Sequence, residues 1–274
     1  MVNYLPELNF AKKVAKSASE IIQKYQRESN YSISFKGKND IVTEADVETE
    51  EHILSAIRKE YPEDLIMAEE TAQRDEIPEN RTWIVDPIDG TTNFAHGFPI
   101  YCISIGLWEN REPKMGLVLE VSSDEYFTAL AGKGAFLNGN PITVSRRENP
   151  ENALVGTGFP YNDLSMVDNY IRFFRMLMDS IQGVRRPGAA SYDLCCVACG
   201  RFDGFYEYAL NPWDVGAAAL IVQEAGGKVT DWSGGADWLF GERIVAGNPE
   251  LHEFLLTEIA NYFEEDEIVG EIEK

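Results

Sequence analysis

Positive charge is what this chain lacks most: 24 Lys and Arg stand against 46 Asp and Glu, for a net charge of −22 in 274 residues. Nucleic acid and anionic membranes are bound by clustered Lys and Arg that neutralise phosphate, so the deficit argues against either as a direct partner and for small or cationic ones. Long hydrophobic runs are missing too, since no segment approaches the roughly 20 apolar residues of a membrane span. The opening MVNYLPELNFAKKVAKSASEIIQKYQ has no export-signal core and reads as an amphipathic helix, so a cytoplasmic location is expected. There the four cysteines stay as thiols. Cys195, Cys196 and Cys199 are bunched, but YDLCCVACG is apolar and small, with no second Cys pair or His nearby, which favours buried helix thiols over zinc ligands. Repeats and low-complexity linkers are absent.

What is present is an ordinary folded composition, 44% hydrophobic and 26% charged, of a length that suits one large domain or two modest ones. The stretch SRRENPEN near 145–152 is the one break. It divides the chain into an N-terminal half, 1–148, and a C-terminal half, 149–274, which also count as a single domain if they share a core.

Apolar periodicity predicts helices over 8–26 and 47–61, the second capped by Thr43 or Asp46, and both ahead of the first strand. Strands follow at LIMA, 65–68, ending in Glu69-Glu70-Thr71, and at TWIVD, 82–86, ending in Asp86. From Ile100 to Thr143, β-rich runs alternate with Gly, Asn and Pro turns, as in an antiparallel meander. The second half offers helices at 167–180 and 191–198 and a strand in RFDGFYEYA. A helix in DVGAAALIVQEAGG follows, with Asp214 as N-cap and Gly226-Gly227 supplying its left-handed end. A hairpin, a strand and a final helix complete the chain, and the acidic FEEDEIVGEIEK reads as a solvated tail or helical face.

The stretch that carries chemistry is WIVDPIDGTTNFAHGFP, 83–99. Pro87 fixes its own φ and restrains Asp86, and Gly90 permits backbone that other residues avoid, so the carboxylates of Asp86 and Asp89 can converge at a strand end. Asp-Gly and Asp-Pro are also plain turn formers. Three features lift the pair above a turn: Glu69 and Glu70 end another strand, Thr91 and Thr92 place hydroxyls beside the acids, and Asp214 opens a distant helix. Carboxylates brought together from several element ends suit a hard divalent cation. The turn at Gly90-Thr91-Thr92 adds N–H groups that hold an oxyanion, and metal plus anion cradle points to a phosphate ester. Bound cations would also offset the chain's repulsion of such a substrate, and two of them can clamp an in-line displacement.

WIVDPIDGTTNFAHGFP resembles the signature of the inositol monophosphatase family, WDVGAAALIVQEAGG its second signature, and MAEET its upstream metal-binding glutamate, with NDIVTEADVETE also in place near the start. The likeness covers roughly 8–255. It implies a layered αβαβα fold of the inositol monophosphatase and fructose-1,6-bisphosphatase type, within α+β proteins, a homodimer, and magnesium-dependent hydrolysis of phosphate monoesters that lithium inhibits, with two or three Mg²⁺. By the same resemblance Glu69, Asp86 and the Ile88 carbonyl hold one ion, and Asp86, Asp89 and Asp214 another. Glu69 and Thr91 orient the attacking water, with Asp89 also among the catalytic acids. Gly90 and Thr91 cradle phosphate, and Asp46 is a more remote acid. Gly188, Ala190 and Glu207 meet the sugar hydroxyls. Apart from the resemblance, Arg185 and Arg186 are placed to meet a second phosphate, although arginines before a Pro-Gly turn are also commonly solvated. Ala189 stands where relatives carry a hydroxyl residue, so one such contact is missing, and His96 is a loop residue. Inositol monophosphate is the expected substrate, with fructose bisphosphate, a phosphorylated nucleotide or histidinol phosphate as alternatives. The Asp-Gly-Thr-Thr-Asn sequence departs from the Asp-Gly-Thr-Lys of nucleotidases. A role as a partner of the transcription machinery is the reading of another class.

Overall fold

A computed structural model describes residues 3–28, 32–35, 41–70, 76–159, 161 and 163–269. Thr71 and the last acidic residues, 270–274, lie outside these. The elements run α1 (Leu5–Glu28), β1 (Ile33–Phe35), β2 (Ile41–Thr43), α2 (Glu44–Glu60), β3 (Leu65–Ala68), β4 (Thr82–Asp89), α3 (Thr91–Ala95), β5 (Cys102–Glu109), β6 (Glu112–Glu120), β7 (Glu125–Leu130), β8 (Ala135–Leu137) and β9 (Asn140–Ile142). They continue as β10 (Leu154–Thr157), α4 (Val167–Ser180), β11 (Gly183–Arg185), α5 (Ala190–Ala198), β12 (Gly204–Tyr208), α6 (Pro212–Val215), α7 (Ala218–Glu224), β13 (Lys228–Thr230), β14 (Arg243–Gly247), α8 (Pro249–Tyr262) and α9 (Glu265–Val269).

Period-two alternation in β4 builds the layering. Trp83 and Val85 join a core with α1 and α2, while Ile84 between them joins a second core with α5 and α7, as side chains on a strand point to opposite faces. Strands β3 to β9 form a seven-stranded sheet in sequence order, with β3 and β4 parallel and the meander antiparallel. The second sheet has the order β11-β10-β12-β14-β13. Its inner face shares the core of α5 and α7, and its outer face is covered by α4 and α8 around Tyr170, Phe173, Tyr206 and Leu255. The result is the αβαβα stack, each sheet burying both faces against helices.

Four expectations change. The short hairpin β1–β2 lies between the first two helices, so they do not both precede the first strand. Strand β4 continues past Asp86, through a register shift, to Asp89 opposite Cys102. Asp214 is not the N-cap of a long helix: Asn211 caps the four-residue α6, and Asp214 closes the capping box from its third position. That helix stops at Gly216 because the Gly216 carbonyl accepts from the Trp108 indole at 3.0 Å instead of continuing the helical ladder. The second helical piece ends as expected, with Gly226 at φ +87. Thr43 is the cap of α2, with Asp46 completing its box.

Candidate active site

The site forms where β3, β4, α2, α3 and α6 meet at one end of the seven-stranded sheet. Asp86 is fully enclosed, and its Oδ1 accepts the Ile88 N–H at 3.0 Å, which fixes the bulged end of β4. Asp89, three residues on, accepts from the N–H of Ala190 at 3.2 Å and of Ser191 at 2.7 Å, and from the Ser191 hydroxyl. Asp214 reaches the same place from α6, its Oδ2 held by the Asn211 N–H at 2.6 Å. Two glycines make that approach possible. Gly106 and Gly116 are paired across β5 and β6, and a Cβ on them would meet the Gly216 oxygen at 3.1 Å and the Ala217 oxygen at 2.4 Å. With no side chains there, the α6–α7 junction lies directly on the sheet.

Asp46 enters from α2. Its Oδ2 takes the N–H and hydroxyl of Thr43, and its Oδ1 accepts the Thr91 hydroxyl at 2.9 Å. The same hydroxyl lies 3.0 Å from the Ile88 carbonyl. Gly90 precedes Thr91 at φ +93, and a Cβ there would come within 3.0 Å of the Ile100 oxygen and 3.2 Å of the Ala189 Cβ. Only glycine suits both the backbone and the space.

The electrostatics follow from this crowding. Burial pushes Asp86 well above the usual carboxylate range, and the charges of Glu69, Asp89, Asp214 and Asp46 push it further. Asp214 is raised by burial, then by Asp89, with Glu69 and Glu207 adding to it. Burial raises Asp89 and Asp46 as well, against the hydrogen bonds that each accepts. Among the described residues, no Lys or Arg stands among the main influences on any of these four acids. Among the described residues no three acid, His or Cys side chains close tightly enough to enclose an ion as they stand. The donor set nevertheless fits a hard divalent cation. It consists of carboxylate oxygens with a backbone carbonyl beside them, in mutual repulsion that a cation relieves.

Beside the acids lies a second group. Glu207 on β12 is buried, which raises its pKa to about 8; the guanidinium of Arg186 opposes that shift and Asp89 adds to it. Gly158 lies directly beneath, since a Cβ there would overlap the Glu207 carboxylate at 1.7 Å. Gly188, at φ +95, has the Arg186 Nη1 against its open side, and Arg186 lies 5.4 Å from the Tyr161 ring. Asn93 locks this loop to the Gly90–Thr91 turn, its amide donating to the carbonyls of Ile100 at 2.8 Å and Pro187 at 2.9 Å.

Glu69, Asp86, Ile88, Asp89, Gly90, Thr91 and Asp214 are therefore brought together, with Asp46 in direct contact through Thr91. Ala190 reaches the group with its N–H already given to Asp89. Arg185 is not among the groups that act on the acids or on Glu207: its Nη1 donates to the Val184 carbonyl at 2.9 Å. Arg186 is the arginine that faces the site. His96 is exposed. Ser191, Asn93, Gly158 and Asp193 went unread in the sequence. Asp193 is buried with Oδ1 unpartnered, beside Glu207; only its place within SYDLC, on the face of α5 that carries Ala190, hinted at it.

The model of the inositol monophosphatase family matches residues 4–264. The chain belongs to that family. Within it, a Nus factor SuhB of Pseudomonas aeruginosa is 44% identical over 259 residues, covering 93% of this chain and 96% of that protein. An inositol monophosphatase of Dictyostelium discoideum is 39% identical over 249 residues, covering 89% and 91%. The crystal structure of the extragenic suppressor protein suhB from Bartonella henselae matches with a TM-score of 0.89 at 36% identity, covering 94% of this chain and all of that one. Membership of the inositol monophosphatase family supports a phosphatase acting on a phosphorylated small molecule, and the layered fold of its members is the fold found here. No helix among the described residues is long and apolar enough to cross a membrane.

Proposed function

We propose that this inositol monophosphatase family member is a magnesium-dependent phosphate monoester hydrolase whose preferred substrate is inositol monophosphate or a similar polyol phosphate. One observation carries the reading: Glu69, Asp46, Asp89 and Asp214 converge on the buried Asp86 from the end of β3 and from α2, β4 and α6, so that burial first and then their charges disfavour its ionised form, beside a glycine turn whose first N–H groups have no helical partner. Glu69, Asp86, Asp89, Asp214 and the Ile88 carbonyl would hold two or three Mg²⁺. When bound, these ions lower the pKa of water and stabilise charge on the leaving oxygen.

The chain's own residues do the rest. Thr91 has one hydroxyl proton, which donates to the Asp46 carboxylate or the Ile88 carbonyl, so its oxygen lone pair would accept a hydrogen bond from the attacking water and orient it, while a carboxylate such as Glu69 would take the proton. Glu69 orients that water from the end of β3. The N–H groups of Gly90 and Thr91 hold phosphate oxygens, and the turn is kept in place by Asn93. Glu207, Gly188 and the segment at Ala190 meet the polyol, and Arg186, whose charge acts on Glu207, supplies the cation beside it.

Phosphate release from inositol monophosphate, fructose bisphosphate, adenosine bisphosphate, histidinol phosphate and glycerol phosphate, with and without magnesium, tests the reading. Inositol monophosphate should lead, and Asp86→Asn should lower kcat at least about a hundredfold, as loss of one electrostatic stabiliser does elsewhere. Full magnesium-dependent activity in that variant would sink the metal assignment.

The name of the 44%-identical Pseudomonas relative favours a second reading, a partner of the transcription machinery. The Asp86→Asn variant separates the two, since binding to transcription proteins should survive in it while turnover is lost. Homodimerisation, which the family resemblance implies, is part of the proposal. Lithium inhibition is expected of the same ion sites.

A further inference from the structure

Outside the acid site, one surface feature has the charge this chain otherwise lacks. Lys12, Lys13 and Lys16 of α1, with Tyr126 of β7 and Asn138 and Gly139 of the β8–β9 turn, line a cleft of about 630 Å³. The lysines are spaced i, i+1 and i+4, so their ammoniums share one side of the helix. Like charges at that spacing weaken a helix rather than support it. None of the three pairs with a carboxylate among the described residues, although acids outnumber bases almost two to one. Burial first, then Asp124 and Glu20, raise the pKa of the Tyr126 hydroxyl, and neither acid lines the cleft.

The floor is built rather than incidental. The Tyr126 N–H donates to Asn138 Oδ1 at 2.8 Å, and the Asn138 N–H donates back to the Tyr126 carbonyl at 2.9 Å. This double link ties the turn to β7 and spends the amide oxygen of Asn138, which leaves its NH₂ group as a donor. Gly139, at φ +80, has no heavy atom within 4 Å of where its Cβ would stand, so that rim is open. The half-buried Tyr126 ring packs on the core beneath α1 and, with the lysine stems, forms an apolar wall. The volume lies within the roughly 300–1,000 Å³ of small-molecule sites.

We propose that this cleft binds a phosphorylated small molecule carrying a flat ring, in chemical class a mononucleotide, with its phosphate among the three lysines and its ring on Tyr126. A bare anion would leave the Tyr126 wall unused, and a neutral ring would leave three ammoniums unmatched. The site is separate from the acid cluster, because α1 covers the face of the seven-stranded sheet that looks away from α5 and α7.

Calorimetric titration of the full-length protein in EDTA, with adenosine monophosphate, adenosine and inorganic phosphate, tests it. The nucleotide should saturate one site. Combined Lys12→Gln and Lys16→Gln should weaken nucleotide and phosphate at least tenfold. Tyr126→Leu should weaken the nucleotide about fivefold and leave phosphate unchanged, and Asp86→Asn should leave nucleotide binding intact. Both cleft variants should unfold in one cooperative transition and keep the phosphatase rate of the parent. The proposal falls if the nucleotide does not saturate, or if Asp86→Asn removes binding that the lysine variant retains, which would place the ligand in the acid site. Neither result bears on the phosphatase reading.

Discussion

Glu207 shows how one residue's chemistry depends on a neighbour with no side chain. Its carboxylate occupies the space where Gly158 would carry a Cβ, and Gly158 is held by its carbonyl, which accepts from the Tyr170 hydroxyl at 2.9 Å. Gly158→Ala must therefore move Glu207. With a polyol phosphate as substrate, KM should rise about tenfold, the value of one hydrogen bond of about 1.4 kcal/mol, while kcat stays within a few-fold. A variant with unchanged KM would remove Glu207 from the substrate site. His252 makes a different residue-scale case. It is 4% exposed, its Nε2 lies 2.9 Å from the Thr230 hydroxyl, and burial, helped by the charge of Lys228, lowers its pKa to about 4 from 6.5. Between those values the unfolded chain takes a proton that the folded one refuses. The stability this ring contributes is thus complete above about pH 6.5 and lost as pH falls toward 4, with a slope of up to about 1.4 kcal/mol per pH unit. Urea unfolding at pH 7, 6 and 5 should show a shallower loss for His252→Gln than for the parent.

At the scale of elements, the placement of α6 and α7 depends on the sheet beneath them. Gly116 lets the Ala217 carbonyl within 2.4 Å of a would-be Cβ, and that atom is backbone, which cannot swing aside as a side chain can. Gly116→Ala should cost about 1–3 kcal/mol, as overpacking does, and should also impair turnover, because the displaced junction carries Asp214. Denaturant unfolding together with phosphate release checks both. The elements were unequally legible. Helix α4 runs from Val167 to Ser180, as its apolar spacing indicates, because four turns give periodicity room to speak. The strands of β1–β2 have three residues each, too few to set a period. The break at Gly216 was hidden because its cause, the Trp108 indole, lies 108 residues away.

For the whole molecule, a charge of −22 favours solubility and opposes compactness through self-repulsion. Salt screens exposed charges over about 10 Å at 0.1 M. In EDTA, raising sodium chloride from about 10 to about 300 mM should therefore lift the thermal midpoint by about 2–4 °C, the shift that roughly 1 kcal/mol produces at this size. A falling midpoint would mean that ion pairs, not repulsion, dominate the surface.

By itself the sequence determined the local devices: the Asp-Pro-Ile-Asp-Gly-Thr turn, the acids at the ends of β3 and β4, a cap at Thr43 or Asp46, a left-handed helix end at Gly226-Gly227 and the meander from Ile100. Each is set by the conformational preferences of neighbouring residues, and these travel with the chain. Only the tertiary structure decided which distant groups face one another. Ser191 and Ala190 hold Asp89 from 101 and more residues away, Asn93 fastens the turn to Pro187, and Arg186 rather than Arg185 leans toward Glu207. Those choices follow from how closely groups distant in the chain approach one another, a quantity that exists only once both sheets have closed on α5 and α7.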